Sequence, residues 1–379
     1  MSNATKLGQK LPWNYARYLL GLFIFGFSCS SELVSRYYAP YFFDPLSNLL
    51  RMVFGWLQNA LGEWVYLFIL ISLIYNALKW LLRNSPRFKV IHFWKLYLVK
   101  GFNSLVKIYI LFMLLWGLNY QRLGPEKYFN IQLPSNYTEA QMDSLSLDLI
   151  GTMNATRLKI SDSDIYHLKF EHLASLSKQE YAKIQEVYPF LNYHHPSIKQ
   201  SAFPIWGDYF GYTAFYQPIT GEAIIRGDLP VLTMPFTICH EMAHQLGYAS
   251  ESEANFIAYV IGVESKNSIF NYATQLQLFT YAQKAHLKAI AQRGDQKMFI
   301  KIIERNKKLI SPKVLADRKI IRNFFTSKQA LQLPGSAQAY DQFLQWNHQK
   351  NGIQSYNDVL LWALAYKRIK TYSSTSYSQ

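Results

Sequence analysis

The apolar residues of this chain are concentrated in its first third, in three runs that contain few charged side chains. The runs cover about residues 18–34, 64–82 and 102–120. Each uncharged stretch is slightly shorter than the ~20 residues that span a bilayer as a helix, but nearby Lys and Arg side chains can extend to the membrane surface. The pattern predicts three transmembrane helices, and the alternative is a set of buried core helices.

The first run has some features of a cleavable signal peptide. A basic start, with Lys6, Lys10 and Arg17, precedes a short apolar stretch that ends near Cys29. The residues just before this cysteine, 26–28, do not form a good lipoprotein cleavage site, and no small-x-small pattern stands out. We therefore expect an uncleaved membrane anchor.

The distribution of basic residues predicts how these helices are oriented. The loop between the second and third runs carries Lys and Arg from Arg83 to Lys100 and no acidic residue, whereas the loop between the first and second runs offsets two arginines with three acids. Cytoplasmic loops are enriched in Lys and Arg. The N terminus and the second loop are therefore predicted in the cytoplasm, and everything after Tyr120 on the outer side.

The net charge of +15 over 379 residues is concentrated near the predicted membrane helices. The first 119 residues hold 12 Lys and Arg against 3 acids, and the remainder holds 27 against 21. Contact with anionic lipid headgroups explains this excess, and no nucleic-acid-binding module is recognisable. We predict membrane lipid as a partner and no nucleic acid. The two cysteines, Cys29 and Cys239, are not expected to form a disulfide.

The chain beyond residue 120 is predicted to form one α+β domain over residues 121–370, followed by a polar tail over 371–379. The domain is expected to be mostly helical, with a hairpin in which residues 217–221 join strands at 209–216 and 222–226. The hairpin is either an edge that binds substrate or a small sheet that covers the core. Helical segments are predicted at 138–158, 177–187 and 256–370.

A His-Glu-x-x-His motif carries the chemistry of this domain. His240 and His244 lie four residues apart, so on a helix they project from one face and can bind one zinc ion. Glu241 lies on the adjoining face, where it can act as a general base. The alternative is a structural helix that merely contains two histidines.

Local signals place this motif on a helix that is followed by a second one. Pro235 precedes the motif, Thr237 can cap the helix, and Gly247 suits its end. Ser250 and Glu253 form a capping-box pattern, which predicts the start of the second helix.

The third zinc ligand is expected to be Glu251 or Glu253, because catalytic zinc sites usually have three protein ligands and one open position. In a capping box Glu253 would fold back onto its own helix, which leaves Glu251 free to point at the metal. Asn255 shares a helix face with Glu251 and could hydrogen-bond a ligand histidine. We predict that His240, His244 and Glu251 bind Zn²⁺.

These residues predict zinc-dependent hydrolysis of peptide bonds. Zinc would polarise the scissile carbonyl, and Glu241 would take a proton from the attacking water and pass it to the leaving amine. Glu222 could bind a substrate amine or pair with a cation. Several side chains could stabilise the oxyanion, and ordinary packing is the alternative for each. They are Tyr212, Tyr216, Tyr248, His194 and His195.

Several segments of the chain resemble a bacterial membrane family known only as domain of unknown function 3810. They are residues 115–120 (Leu-Trp-Gly-Leu-Asn-Tyr), 220–223 (Thr-Gly-Glu-Ala) and 240–255, with residues 352–356 and 359–361 matching the closing helix of that family. The likeness covers nearly the whole chain. It implies a three-span anchor and a zinc-peptidase-like domain.

The segment that starts at Glu251 also resembles the E-x-x-A-[DN] segment of gluzincin-like peptidases. That resemblance implies Glu251 as the third zinc ligand, with Asn255 supporting the ligands. The chain departs from those families in spacing, because only six residues separate His244 from Glu251. Gly247 allows the chain to turn back at once.

We therefore predict a multi-pass protein of the bacterial cytoplasmic (inner) membrane, with a zincin-like C-terminal domain on the outer, periplasmic side. Its expected activity is that of a zinc metallopeptidase acting on peptide or envelope protein. The alternative is an envelope binding or assembly protein that keeps the fold without hydrolysis. Glu241 favours the peptidase, because a structural zinc site needs no general base and is usually closed by four ligands.

Overall fold

The apolar first third of the chain folds into long helices. The computed structural model describes residues 10–84, 91–134, 136–347 and 359–376. The main helices of the first third are α1 (Lys10–Ser28), α2 (Asp44–Phe54), α3 (Leu61–Asn84) and α4 (Ile91–Leu115). Part of the basic loop between α3 and α4, residues 85–90, lies outside the described residues.

Two of the described helices are long and apolar enough to cross a membrane, over Leu61–Arg83 and Tyr97–Leu115. Almost none of their residues is buried inside the protein, as expected of side chains that face lipid. A third crossing would come from a bent pair, Tyr15–Ser28 with Ser31–Phe54, whose two parts meet at 99°. The described chain thus has two or three helices suited to a membrane.

The predicted helix over 18–34 is wrong at its C-terminal end, because α1 ends at Ser28. The Ser28 hydroxyl donates to the Phe25 oxygen (2.7 Å), and the Ser30 hydroxyl caps the next helical segment by accepting from the Leu33 nitrogen (3.3 Å). Side chains that bond locally to the backbone compete with the helical ladder, which explains the break. The chain then continues through Ser31–Leu33, a π-helix over Val34–Phe43, and α2.

Beyond residue 120 the described chain is mostly helical, as predicted. The longer helices are α5 (Glu139–Arg157), α6 (Phe170–Val187), α7 (Pro204–Phe210), α8 (Met234–Gln245), α9 (Glu251–Glu264), α10 (Ser268–Gln292), α11 (Gln296–Leu309), α12 (Pro312–Gln329), α13 (Ser336–Trp346) and α14 (Val359–Ser376). Short helices lie at Glu126–Phe129 and Asp162–Tyr166, and 3₁₀ turns at Gly117–Gln121, Pro189–Leu191 and Val231–Thr233. Residues 352–356, which the resemblance included, lie outside the described ranges.

A small sheet of three strands accompanies these helices, in the order β1-β3-β2. The strands are β1 (Ile198–Gln200), β2 (Ala214–Gln217) and β3 (Glu222–Ile225). β1 runs parallel to β3, and β2 pairs with β3 as an antiparallel hairpin. The predicted strand over 209–216 is wrong before Ala214, because Pro204 opens α7 there and Gly211, at φ +78°, ends it.

The helices α8 and α9 lie at the centre of the hydrophobic core. Almost every residue of α8 is buried, and α9 is buried from Ala254 to Gly262. α6 and α10 pack against both helices of the pair, α14 packs against α9, and β2 and β3 lie against α8, while α5 packs on α10. A second, smaller apolar cluster joins this domain to the membrane helices. It consists of Ile24, Val34, Tyr38, Phe43, Trp116, Leu118 and Ala249.

Candidate metal centre

The helix α8 carries the His-Glu-x-x-His motif, but it starts earlier than predicted. It begins at Met234, with Pro235 in its first turn. Thr237 is therefore inside the helix and does not cap it, since its hydroxyl donates to the Thr233 oxygen one turn back (2.9 Å). Gly247 ends the helix as predicted, at φ +86°, a backbone conformation that glycine adopts without steric cost.

Three buried side chains converge beside α8 in an arrangement that could hold a metal ion. One ligand atom from each of His240, His244 and Glu251 lies within 4.8 Å of the other two. Glu251 Oε2 is 3.1 Å from His240 Nε2 and 3.9 Å from His244 Nε2. The turn at Gly247 reverses the chain, so that the first residue of α9 faces the two histidines.

The second ring nitrogen of each histidine is held by a hydrogen bond. His240 Nδ1 lies 2.9 Å from Asn255 Oδ1, and His244 Nδ1 lies 2.7 Å from the Tyr248 backbone oxygen. Because both acceptors take the proton of Nδ1, a neutral histidine presents the lone pair of Nε2 toward Glu251, whereas a protonated His240 donates from Nε2 to that carboxylate. Partners of this kind orient ligand histidines in known metal sites.

The predicted capping box at the start of α9 does not form. Ser250 is the N-terminal cap residue, but its hydroxyl lies 2.9 Å from the Ser252 hydroxyl and makes no cap hydrogen bond. By contrast, Thr138 and Gln141 form a complete capping box at the start of α5. The reasoning that used Glu253 as a cap is therefore wrong, although Glu251 does face the histidines.

Burial changes the pKa values of the side chains in and beside the cluster. Burial raises the pKa of the Glu241 carboxyl to about 8, and its Oε2 has no hydrogen-bond partner among the described residues. Burial also acts to raise the pKa of Glu251, but the hydrogen bond from His240 and the charges of both histidines outweigh it and lower that pKa to about 2. Burial and the charge of His240 lower the pKa of His244 to about 4.

One residue of the cluster was not anticipated from the sequence. The Tyr340 hydroxyl donates to Glu251 Oε1 (2.9 Å) from α13, 89 residues further along the chain. The Tyr340 side chain is 40% exposed, so its ring reaches from the surface to the buried carboxylate. No local motif marks this tyrosine, because its role depends on how α13 packs against the domain.

Aromatic residues from the end of α4 and from β2 surround one side of the cluster. The Trp116 ring meets the His244 ring edge-on, with centroids 5.8 Å apart, and lies 4.8 Å from the Tyr216 ring. Trp116 Nε1 donates to the Tyr120 hydroxyl (3.3 Å). Tyr216, a predicted oxyanion donor, is thus beside the cluster, separated from His244 by Trp116.

The other predicted contact residues have different roles. Tyr248 supports His244 through its backbone oxygen. The described contacts of Tyr212 are with Phe215 and, through its backbone, with Arg226. His194 supplies a backbone oxygen to Arg51, and His195 adopts a left-handed backbone, at φ +50°. None of these described contacts of Tyr212, His194 or His195 reaches the three candidate ligands.

Glu222 lies at the N-terminus of α3, and its described hydrogen bonds go to residues outside the cluster. Its carboxylate accepts hydrogen bonds from the backbone nitrogens of Leu61 (3.2 Å) and Gly62 (2.6 Å) and from the Thr220 hydroxyl (2.8 Å). The side chain is fully buried. A buried carboxylate at this position satisfies amides that a helix start leaves unpaired and complements the helix dipole.

Arginines from the first third of the chain hold the C-terminal end of α8. Arg51 Nη1 and the Ser47 hydroxyl, both from α2, donate to the Gln245 oxygen (2.6 and 2.8 Å). Arg122 donates to the Leu246 oxygen (3.1 Å). These groups satisfy carbonyls that the helix end leaves free and complement its dipole.

Of the comparisons with known proteins, the one with family models gives a match. The chain has no match among curated proteins or among solved structures. A family model described as "Protein of unknown function (DUF3810)" matches residues 38–375, a range that contains the whole cluster and the helices α3 and α4. The chain therefore belongs to the family of proteins of unknown function DUF3810.

Proposed function

We propose that this protein is a membrane-anchored, zinc-dependent peptidase. The observation that carries the proposal is the convergence of His240 Nε2, His244 Nε2 and a carboxylate oxygen of Glu251, next to the buried carboxyl of Glu241. Two histidines, a third carboxylate ligand and a neighbouring glutamate are the residue types that catalytic zinc sites in peptidases use.

The donor set fits zinc better than a hard cation. Calcium and magnesium prefer oxygen ligands, whereas two imidazole nitrogens and one carboxylate suit zinc. The hydrogen bonds from Nδ1 of His240 and His244 to Asn255 and Tyr248 direct the Nε2 atoms inward, as a bound metal requires. The three described donors leave a fourth position for water or substrate.

Different residues would bind the metal, transfer the proton and stabilise negative charge during hydrolysis. Zinc held there would polarise the scissile carbonyl and acidify a water molecule. Glu241 would accept the proton of the attacking water and deliver it to the leaving amine. Tyr340, which already donates to Glu251, offers a phenol that could stabilise negative charge on the substrate.

The strand β2 supports a role in peptide binding. It lies at one edge of the sheet, and its outer side pairs with no strand within the described chain. Tyr216 on this strand contacts Trp116, which contacts His244. An extended peptide could add to this edge by main-chain hydrogen bonds and pass close to the cluster.

The location that we propose is the bacterial cytoplasmic membrane, with the cluster on the outer side. The excess of Lys and Arg between α3 and α4 supports a cytoplasmic position for that loop. Three crossings, with α1 as the first, would then place the chain after Gln121 outside.

The alternative function is a binding or assembly protein of the envelope that does not hydrolyse its partner. Glu241 favours the peptidase, because a buried carboxyl with one oxygen, Oε2, that has no hydrogen-bond partner among the described residues is costly to keep for structure alone. The test is to incubate purified full-length protein in lipid nanodiscs with a broad peptide library. Zinc-dependent cleavage that a chelator abolishes and zinc restores supports the peptidase, and intact peptides with bound zinc support the alternative.

A further inference from the structure

The segment between α1 and α3 has an unusual distribution of apolar side chains. It comprises Ser31–Phe54, which lies at 99° to α1, and we refer to it as the crossbar. On α2, the last helix of the crossbar, Leu49, Met52 and Val53 are 45–50% exposed. Tyr41 and Trp56, before and after α2, are 78% and 77% exposed.

The two fully buried residues of α2 are polar and lie on the opposite face. Ser47 and Arg51, one turn apart, point at the C-terminal end of α8. A helix of a water-soluble domain would show the reverse pattern, with its apolar face inward. A helix with a polar inner face and an apolar outer face suits a position in the membrane interface, with lipid covering the outer face.

The crossbar continues directly into the membrane helices. If α1 crosses the bilayer, the 99° bend turns the crossbar into the plane of the membrane, and α3 re-enters after it. The exposed apolar side chains of α2 are then followed along the chain by the exposed apolar side chains of α3 and preceded by those of α1. A phospholipid surface that covers α1 and α3 would cover this face of α2 as well.

The candidate metal cluster lies next to the C-terminal end of α4. Trp116 is the first residue after the membrane helix α4, and its ring contacts His244. Phe112, in the last turn of α4, contacts Phe343 of α13, the helix that also carries Tyr340. His244 thus contacts the residue that follows α4, and α13, which carries Tyr340, contacts the last turn of α4.

From this placement we propose that the cluster opens at the membrane surface and acts on polypeptide segments tethered to the same membrane. The proposal rests on the proposed peptidase activity and adds the class of substrate to it. Sharing a membrane raises the effective concentration of a tethered peptide, most strongly when its tether matches the distance to the site. The preferred substrate is then a protein cleaved close to its own membrane anchor.

The substrate test compares one peptide sequence in three forms. Proteoliposomes containing the full-length protein receive the free peptide, the peptide on a lipid anchor with a short spacer, and the peptide on the same anchor with a long flexible spacer. We expect the short-spacer form to be cleaved at least roughly tenfold faster than the free peptide, with the long-spacer form between them. Equal rates for all three would overturn the proposal and leave the peptidase standing, whereas no cleavage of any form would refute both.

A second measurement tests the placement without relying on activity. A spin label at Met52→Cys, in a Cys29→Ser background, is compared with one at Leu158→Cys, a 78% exposed position at the end of α5. We expect the Met52 label to be relaxed mainly by oxygen dissolved in lipid and the Leu158 label mainly by a water-soluble nickel chelate. Equal access of the chelate to both labels would overturn the proposal, whatever the peptidase assay shows.

Discussion

Arg51 of α2 donates to the backbone oxygen of Gln245, the last residue of α8, across a distance of 2.6 Å. The two residues are 194 positions apart in the chain, and Gln245 directly follows the candidate ligand His244. The Gln245 side chain in turn donates to the Ser197 and Gly221 oxygens beside the sheet (2.9 and 2.7 Å). Gln245 thus joins α8, which carries the candidate metal ligands, to the sheet and to α2.

Removal of Arg51 should destabilise the protein. Arg51→Ala would leave the Ser47 hydroxyl as the remaining described side-chain donor to the Gln245 oxygen and would remove the bond to the His194 oxygen. A hydrogen bond from a charged group is worth about 1.5–3 kcal/mol. We expect a clearly lower melting temperature in detergent and weaker zinc retention. Arg36→Ala, at an exposed position of the crossbar, is the matched control and should change neither. A melting curve for Arg51→Ala that coincides with that of the control would contradict this role.

Glu222 should matter for stability and not for metal binding. Glu222→Gln replaces the buried carboxylate that accepts from the Leu61 and Gly62 amides, with an expected cost of about 1–3 kcal/mol. Zinc content should be unchanged, because this side chain lies away from the cluster. Thermal melting with metal analysis measures both effects, and Glu186→Gln, an exposed site on α6, is the control. Loss of zinc with unchanged stability would show that the capping role is wrong.

The candidate ligands should be distinguishable from their neighbours by zinc competition with a chelator. Wild-type protein is expected to hold about one zinc per chain, and His240→Ala, His244→Ala and Glu251→Ala should each lose most of it. Asn255→Ala should bind zinc roughly 10–100-fold more weakly, because Asn255 orients His240.

Glu253→Ala is the matched control for that series, since it removes a carboxylate two residues from Glu251. It should keep its zinc. If Glu253→Ala loses the metal while Glu251→Ala retains it, the ligand assignment must move to Glu253.

Membrane topology is open to a direct test. Reporter fusions after Gln121 should be active only with a reporter that works outside the cytoplasm, and fusions near Ser85 should show the opposite behaviour. The physical reason is the concentration of Lys and Arg around residues 83–100, which favours retention of that loop in the cytoplasm. Cytoplasmic behaviour of the fusion after Gln121 would exclude three crossings with this orientation.

Local sequence signals predicted the parts of the structure that depend on local geometry. The spacing of His240 and His244 places both on one face of α8, and Gly247 reverses the chain where a positive φ is needed. Apolar runs marked the helices that are long and apolar enough to cross a membrane. The same approach failed at Ser250, where a complete capping-box pattern is present but the serine hydroxyl contacts Ser252 instead.

The remaining features depend on contacts between distant segments. Tyr340 contacts Glu251 from a position 89 residues later in the chain, and Arg51 contacts the end of α8 from a position 194 residues earlier. The sequence around Tyr340 or Arg51 contains no pattern that predicts its partner. Glu222 lay in a segment that the family resemblance had marked, but only packing against α3 shows that it caps a membrane helix.

The most direct test of the peptidase compares wild-type protein with Glu241→Gln at equal bound zinc. Both proteins, in lipid, are incubated with the same membrane-tethered peptides, and cleavage is followed by mass spectrometry. The substitution keeps the size of the side chain and removes the group proposed to accept the proton. We expect cleavage by the wild type, and a rate on the order of 10²–10⁴-fold lower for Glu241→Gln. Equal cleavage by the two zinc-loaded proteins would contradict the assignment of Glu241 as general base and the mechanism built on it.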